Sequence, residues 1–86
     1  MKDLEKSLKA LANRRRLAII TYLKKHREAP VKEVAGAIRL SFKATSKHLN
    51  ILAGVDILEK DQRSLQMFYR LAPTQKPGIK HIIYLL

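Results

Sequence analysis

Lys43 and Lys47 stand four residues apart, one helical turn, with Ser46 and His48 beside Lys47. On a helix they would present two cations and a hydroxyl, groups that bind phosphate oxygens and the acceptor edge of guanine. Ala44, on the same turn, is small enough to lie against a thymine methyl. Residues 34–55 around them hold Arg39, Lys43, Lys47 and His48 and no acid. Two more acid-free stretches flank this one. Residues 6–27 carry eight Lys and Arg, including the run Arg14-Arg15-Arg16; residues 62–86 carry Arg63, Arg70, Lys76, Lys80 and His81. Arginines crowded at a helix start oppose its dipole, so the run has a poor local stability rationale. In total 18 Lys+Arg face 7 Asp+Glu, a net charge of +11 on 86 residues. Such a balance suits a polyanionic partner; the plainer reading is a well-solvated surface.

Other chemistries lack their residues. With no cysteine, disulfides, thiolate zinc sites and thiol redox chemistry are all out of reach. The seven acids are scattered, and no Ser/His/Asp or paired-carboxylate set stands on one element. Three glycines cannot build a phosphate-cradling loop. The expectation is therefore no enzyme, no cofactor and no metal. No run of about 18 apolar residues exists to span a membrane, and the N-terminal MKDLEKSLKALANRRR lacks the apolar centre of a signal peptide. A cytoplasmic protein is expected. Eighty-six residues with 47% hydrophobic content make one domain, residues 1–86, near the lower limit for a self-sufficient core.

The apolar spacing predicts the elements that must position these residues. Leu4, Leu8 and Leu11 form one helix face over residues 3–12. Asn13 is a good cap for a second helix running to about Lys25. Arg27–Pro30 reads as a break. Val31, Val34, Ala35 and Ile38 mark a short helix, Arg39-Leu40 a turn, and Ser41 the cap of a helix reaching about Val55. In that helix Thr45, Leu49 and Leu52 point inward; Lys43, Ala44, Lys47 and Asn50 point outward. After Asp56 the period becomes two. Ile57–Lys60 and Gln66–Leu71 read as strands joined by the polar turn Asp61–Leu65. Ile79, Ile82, Ile83 and Leu86 form a last helical stripe. A short helix, a tight turn, a basic helix and a hairpin make a winged helix-turn-helix: mainly α (α+β), with the helix-turn-helix at about 31–55, a two-stranded wing at about 57–71 and a terminal helix at about 79–86.

Four runs in order carry a family likeness: Leu11-Ala12-Asn13-Arg14-Arg15-Arg16-Leu17-Ala18-Ile19, Val31-Lys32-Glu33-Val34-Ala35-Gly36-Ala37-Ile38-Arg39-Leu40-Ser41, Ser46-Lys47-His48-Leu49-Asn50-Ile51-Leu52, and Tyr69-Arg70-Leu71. With them, over about residues 8–73, the chain resembles the ArsR-type (arsenical-repressor) winged helix-turn-helix regulators. Metal-sensing members often carry Cys-x-Cys in the third helix, where this chain has Pro30 and Lys32. Others use His and carboxylates on the last helix, where only His81 stands. Metal sensing is not implied. The family places Ala-Gly after the reader helix; here Val55-Asp56 occupy those positions, so Asp56 would have to adopt a left-handed cap.

The resemblance implies a DNA-binding transcriptional regulator, a homodimeric repressor on a pseudo-palindromic operator. Ser41, Lys43, Ala44, Ser46 and Lys47 would face DNA, and His48 would either touch phosphate or bond nearby backbone. At the wing tip Gln62, Arg63 and Ser64 would meet the flanking minor groove or phosphate. Arg14 and Arg15 would reach backbone phosphate. Phe42, where the family often has Gln, is expected to pack at the edge of the core, with a base contact as the alternative. Leu4, Leu8 and Leu11 with Ile79, Ile82, Ile83 and Leu86 would form the two-fold interface. The other class of reading is a winged helix that binds a protein or RNA, as an antitoxin-like partner would.

Overall fold

The computed structural model describes residues 2–86. Its helices start where the capping residues stand. Helix α1 (Lys2–Leu11) ends just before Asn13, whose Oδ1 accepts from the N–H groups of Arg15 and Arg16 at 2.9 and 3.1 Å and so opens α2 (Arg14–His26). Strand β1 (Glu28–Pro30) leads into α3 (Val31–Ile38). The Oγ of Ser41 accepts from the Ala44 N–H at 3.1 Å and opens α4 (Phe42–Gly54). Strands β2 (Leu58–Arg63) and β3 (Gln66–Leu71) and helix α5 (Pro77–Leu85) complete the chain.

Two expectations about the strands are corrected. The break at Arg27–Pro30 is a strand: β1 pairs antiparallel with β3, so the sheet has three strands in the order β1-β3-β2. Three residues are too few to show an alternation, and Pro30, having no N–H to give, sits at the end of an edge strand. The hairpin is also longer. β2 continues through Asp61, Gln62 and Arg63, and Arg63 pairs with Gln66 across the two-residue turn Ser64-Leu65. Ser64 takes the positive φ, 57°, that the first position of a tight hairpin turn requires. The polar composition of 61–63 mimics a loop, yet those charges pair across strands.

All elements feed one core. Ile19, Ile20 and Leu23 of α2 meet Val31 and Val34, Leu49 and Leu52, Ile57 and Leu58, Tyr69, and Ile79 and Ile83. This corrects three of the expected interface residues: Leu11, Ile79 and Ile83 are buried inside the protomer. The reason is that α5 packs its Ile79/Ile83 face onto the core and is held at both ends. Lys24 Nζ donates to the carbonyls of Ile83 and Tyr84 at 2.9 and 3.3 Å, and Lys76 Nζ donates to Ser7 Oγ at 3.3 Å. Helix α4 ends at Gly54, one residue short of the expected Val55, and Asp56 adopts the expected left-handed conformation, φ 62°. The N–H of Asp56 reaches Ala53 O and that of Ile57 reaches Leu52 O, both at 3.1 Å, so the last carbonyls are satisfied although no glycine is present at the cap.

Arg16 ties three helices together. Its Nε donates to Ala10 O and its Nη2 to Lys9 O, at the negative end of α1, while its Nη1 lies 3.1 Å from His48 Nδ1 on α4. A guanidinium only donates, so Nδ1 accepts and the neutral ring carries its proton on Nε2. Arg16→Met is expected to destabilise the fold by about 1.5–3 kcal/mol, read from the urea midpoint. His48 is held below its ordinary pKa of 6.5, first by burial and then by the charges of Arg16, Arg15 and Lys47. The unfolded chain therefore protonates this ring at higher pH than the folded chain does. The stability from the neutral ring is complete above about pH 6.5 and is lost as pH falls through the folded value. Taking the protein from pH 7.5 to 5.5 should lower its urea midpoint. His48→Gln, which keeps an acceptor for Arg16, should flatten that drop; equal drops in both proteins would contradict the assignment.

Candidate nucleic-acid interface

Helix α4 presents its faces as its residue types require. Thr45, Leu49 and Leu52 are buried; Lys43 and Lys47 are exposed; Ala44 and Ser46 are half-buried. No carboxylate lies on this helix. Ser41 spends its acceptor on the cap and keeps a hydroxyl hydrogen to donate. His48 turns toward Arg16 instead of outward. That contact brings the start of α2 beside α4: Arg15 and Lys47 both lie close enough to His48 to disfavour its protonation. Arg14 is the neighbour of Arg15 at the start of α2. They line a shallow groove with Arg39, which closes α3 in a left-handed conformation, φ 56°. The sequence marks Arg39 as a turn residue within the acid-free stretch, without a place beside Arg14 and Arg15.

The wing is fixed to α4 through Asn50. Its Oδ1 accepts from the Tyr69 hydroxyl at 2.7 Å and from Lys60 Nζ at 2.9 Å. The Lys60 ammonium also sits 5.9 Å above the Tyr69 ring. Tyr69 is 2% exposed, so its hydroxyl needs this partner. The helical period puts Asn50 on the outer face of α4, and only the register of the hairpin, which brings Lys60 and Tyr69 side by side, gives it a role.

Arg63 departs from its expected role. It does not stand free at the wing tip. Its guanidinium grips Glu28 with Nη1 at 2.6 Å and Nη2 at 2.9 Å, reaches Asp61 at 3.2 Å, and lies 4.6 Å from the centre of the Phe68 ring. Arg70 completes the array, bonding Glu59 at 2.7 Å and Asp61 at 2.9 Å. Strand alternation puts all of these side chains on the face of the sheet opposite Tyr69 and Lys60, and thus away from α4. Arg63 holds Glu28, and Arg70 above all holds Asp61, below the usual carboxylate range. The missing signal was Glu28, which no reading of Arg27–Pro30 as a break could bring into the sheet.

The wing tip itself is Ser64-Leu65, with Gln62 donating weakly to Ser64 O at 3.4 Å. Leu65 is 96% exposed. Phe42, expected at the edge of the core, is instead 60% exposed. Both line a cleft of about 390 Å³ between α4, the start of α3 and the wing. Among the described residues, no three His, Asp or Glu side chains gather as a metal site, and no helix is long and apolar enough to cross a membrane.

No protein-family model and no curated protein matches the chain. Solved structures do. Reduced HlyU from Vibrio cholerae is 32% identical, with 99% of this chain and 85% of that one aligned at a TM-score of 0.82. The transcriptional repressor PagR of Bacillus anthracis is 27% identical, over 98% and 92% of the two chains, at 0.79. The homodimeric winged helix-turn-helix DNA-binding domain of Mb0332 from Mycobacterium bovis, described as a possible ArsR-family transcriptional regulator, is 26% identical, over 98% and 74%, at 0.82. These likenesses run through every element from α1 to α5. On this fold, and with this identity over nearly its whole length, the chain belongs to the ArsR-type family of winged helix-turn-helix transcriptional regulators.

Proposed function

We propose that the protein is a homodimeric repressor that binds double-stranded DNA sequence-selectively and blocks transcription by occupying a pseudo-palindromic operator in the cytoplasm. One observation carries this reading: an acid-free helix with Lys43 and Lys47 exposed, set against a wing whose carboxylates are paired on the opposite face. A helix fits the major groove and its N-terminal side chains reach base edges. In this reading Lys43, Lys47, Ser41, Ala44 and Ser46 meet the groove, with Gln62 and Ser64 at its flank. Arg14, Arg15 and Arg39 grip phosphate. His48 acts indirectly, by seating α4 on Arg16. Catalysis has no part in it, and the solved structures it resembles include transcriptional repressors and regulators.

Support for the dimer comes from apolar surface left over after the core is built. Leu4 and Leu8 on α1, and Tyr84, Leu85 and Leu86 at the end of α5, are exposed, and Ile82 is half-buried. The Mb0332 domain is itself homodimeric. A two-fold dimer would place its reader helices in successive major grooves, about 34–36 Å apart.

A dimer meeting about 6–10 phosphates should give a log–log salt slope of about −5 to −9. Lys43→Ala and Lys47→Ala should each weaken selective binding by about 1–3 kcal/mol for every base edge the lysine reads, whereas Arg63→Ala should leave the salt slope unchanged. Filter binding to duplexes selected from a random library measures all three; unaltered affinity in both lysine variants would remove α4 as the reader. Separately, Leu4→Glu with Leu8→Glu should convert the dimer to a monomer by sedimentation and weaken operator binding. A wild-type monomer that ignores duplex DNA at low salt would favour the protein- or RNA-binding reading instead.

A further inference from the structure

The exposed large apolar side chains fall into two groups. Five of them, Leu4, Leu8, Tyr84, Leu85 and Leu86, belong to the two terminal helices. The other two, Phe42 and Leu65, are far from that surface in the sequence and share the cleft between α4 and the wing. Half-buried Met67 lines the same cleft, so Phe42 does not stand alone in polar surroundings. Lys32 and Lys60 also line it, and Lys43 is the next residue of α4. Phe42 is thus an aromatic ring in the cationic surface that would lie on a phosphate backbone.

Its position narrows what it can touch. Phe42 is the first residue of α4, directly after the Ser41 cap, and N-terminal residues of a reader helix are the ones that reach base edges. Phenylalanine neither donates nor accepts hydrogen bonds of ordinary strength, so it cannot read the amino, carbonyl or N7 groups of the groove. The one apolar feature that the major groove offers is the C5-methyl group of thymine. Neither unmodified cytosine nor a purine carries it. Ser46, four residues on and lining the same cleft, leaves space beside the ring because its side chain is short.

Resting on the DNA-binding reading above, we propose that Phe42 is a specificity-determining residue that reads the C5-methyl of a thymine in each half-site. An aromatic ring at this position then sets the preference at that base pair by methyl content and not by hydrogen-bond pattern.

Deoxyuridine pairs as thymine does and lacks only the methyl, so it isolates the contact. The probes are duplexes that the purified full-length protein selects from a random library, with each thymine replaced in turn by deoxyuridine. For the wild-type protein, one position per half-site should lose about four-fold in affinity, the equivalent of one buried methyl, and both positions together about fifteen-fold. Phe42→Ala should bind the unsubstituted duplex less tightly and show no further loss at those positions. Its thermal melt should match the wild type, since the ring lies outside the core. If no deoxyuridine weakens wild-type binding, or if the same loss persists in Phe42→Ala, the assignment is overturned. If no duplex is selected at all, the DNA-binding reading fails first, and the methyl assignment with it.

Discussion

A single carbonyl oxygen sets the angle between the basic helix and the wing. Asn50 Oδ1 receives both the Tyr69 hydroxyl and the Lys60 ammonium, one from the buried interior of the hairpin and one from its flank. The Lys60 ammonium can only donate, so the amide must present its oxygen, and the orientation of the Asn50 side chain is determined. Tyr69 belongs to the core, which means that the wing's position is coupled to the packing of α2 and α3 as well as to α4. Arg16 plays the corresponding part on the other side of α4, through His48. The helix is thus seated between two polar struts, and the inward stripe Thr45, Leu49, Leu52 sets its depth. Directional bonds orient it; apolar burial holds it down.

Charge is sorted by the same geometry. Three of the seven carboxylates, Glu28, Glu59 and Asp61, meet Arg63 and Arg70 on one face of the sheet. Tyr22 donates to a fourth, Glu33, joining α2 to α3. The lysines of α4 face none of these acids as ion-pair partners. Sheet alternation achieves this: within each strand every second residue turns to the face of the ion pairs, and the residues between them, among them Lys60, Met67 and Tyr69, turn to the face toward α4. The edge strand β1 gains from it too, because Glu28 is anchored across β3 to Arg63 of the far strand.

The helices were legible in the sequence because each carries its own evidence. The apolar periods, the Asn13 and Ser41 caps of α2 and α4, and the charge-matched termini of α1 and α2 are all local, and α1 to α4 start within about a residue of where those signals place them. The sheet was less legible because its evidence is distributed. β1 is three residues long and owes its existence to Tyr69, about forty residues away. Asp61, Gln62 and Arg63 look like loop residues until their partners are known. The site divides in the same way. Lys43 and Lys47 could be placed from helical spacing alone. Arg63, His48 and Asn50 could not, since long-range partners decide where each side chain goes. Phe42 differs from its expected place for a related reason: its type suggests burial, while its position at the first turn of α4 leaves it outside the core.

The pairing of acids on the outer sheet face has a kinetic meaning. A molecule of net charge +11 would approach a polyanion in many orientations if its charge were uniform. Here ion-paired groups occupy one face of the wing, and the exposed Lys43 and Lys47 of α4 lie beyond the other. The resulting electric asymmetry exerts a torque in the field of a polyanion and turns the protein before contact. In the proposed DNA-binding role, a larger fraction of encounters would then begin with α4 leading. Such orientation acts on the association rate and leaves the lifetime of the docked state to short-range contacts.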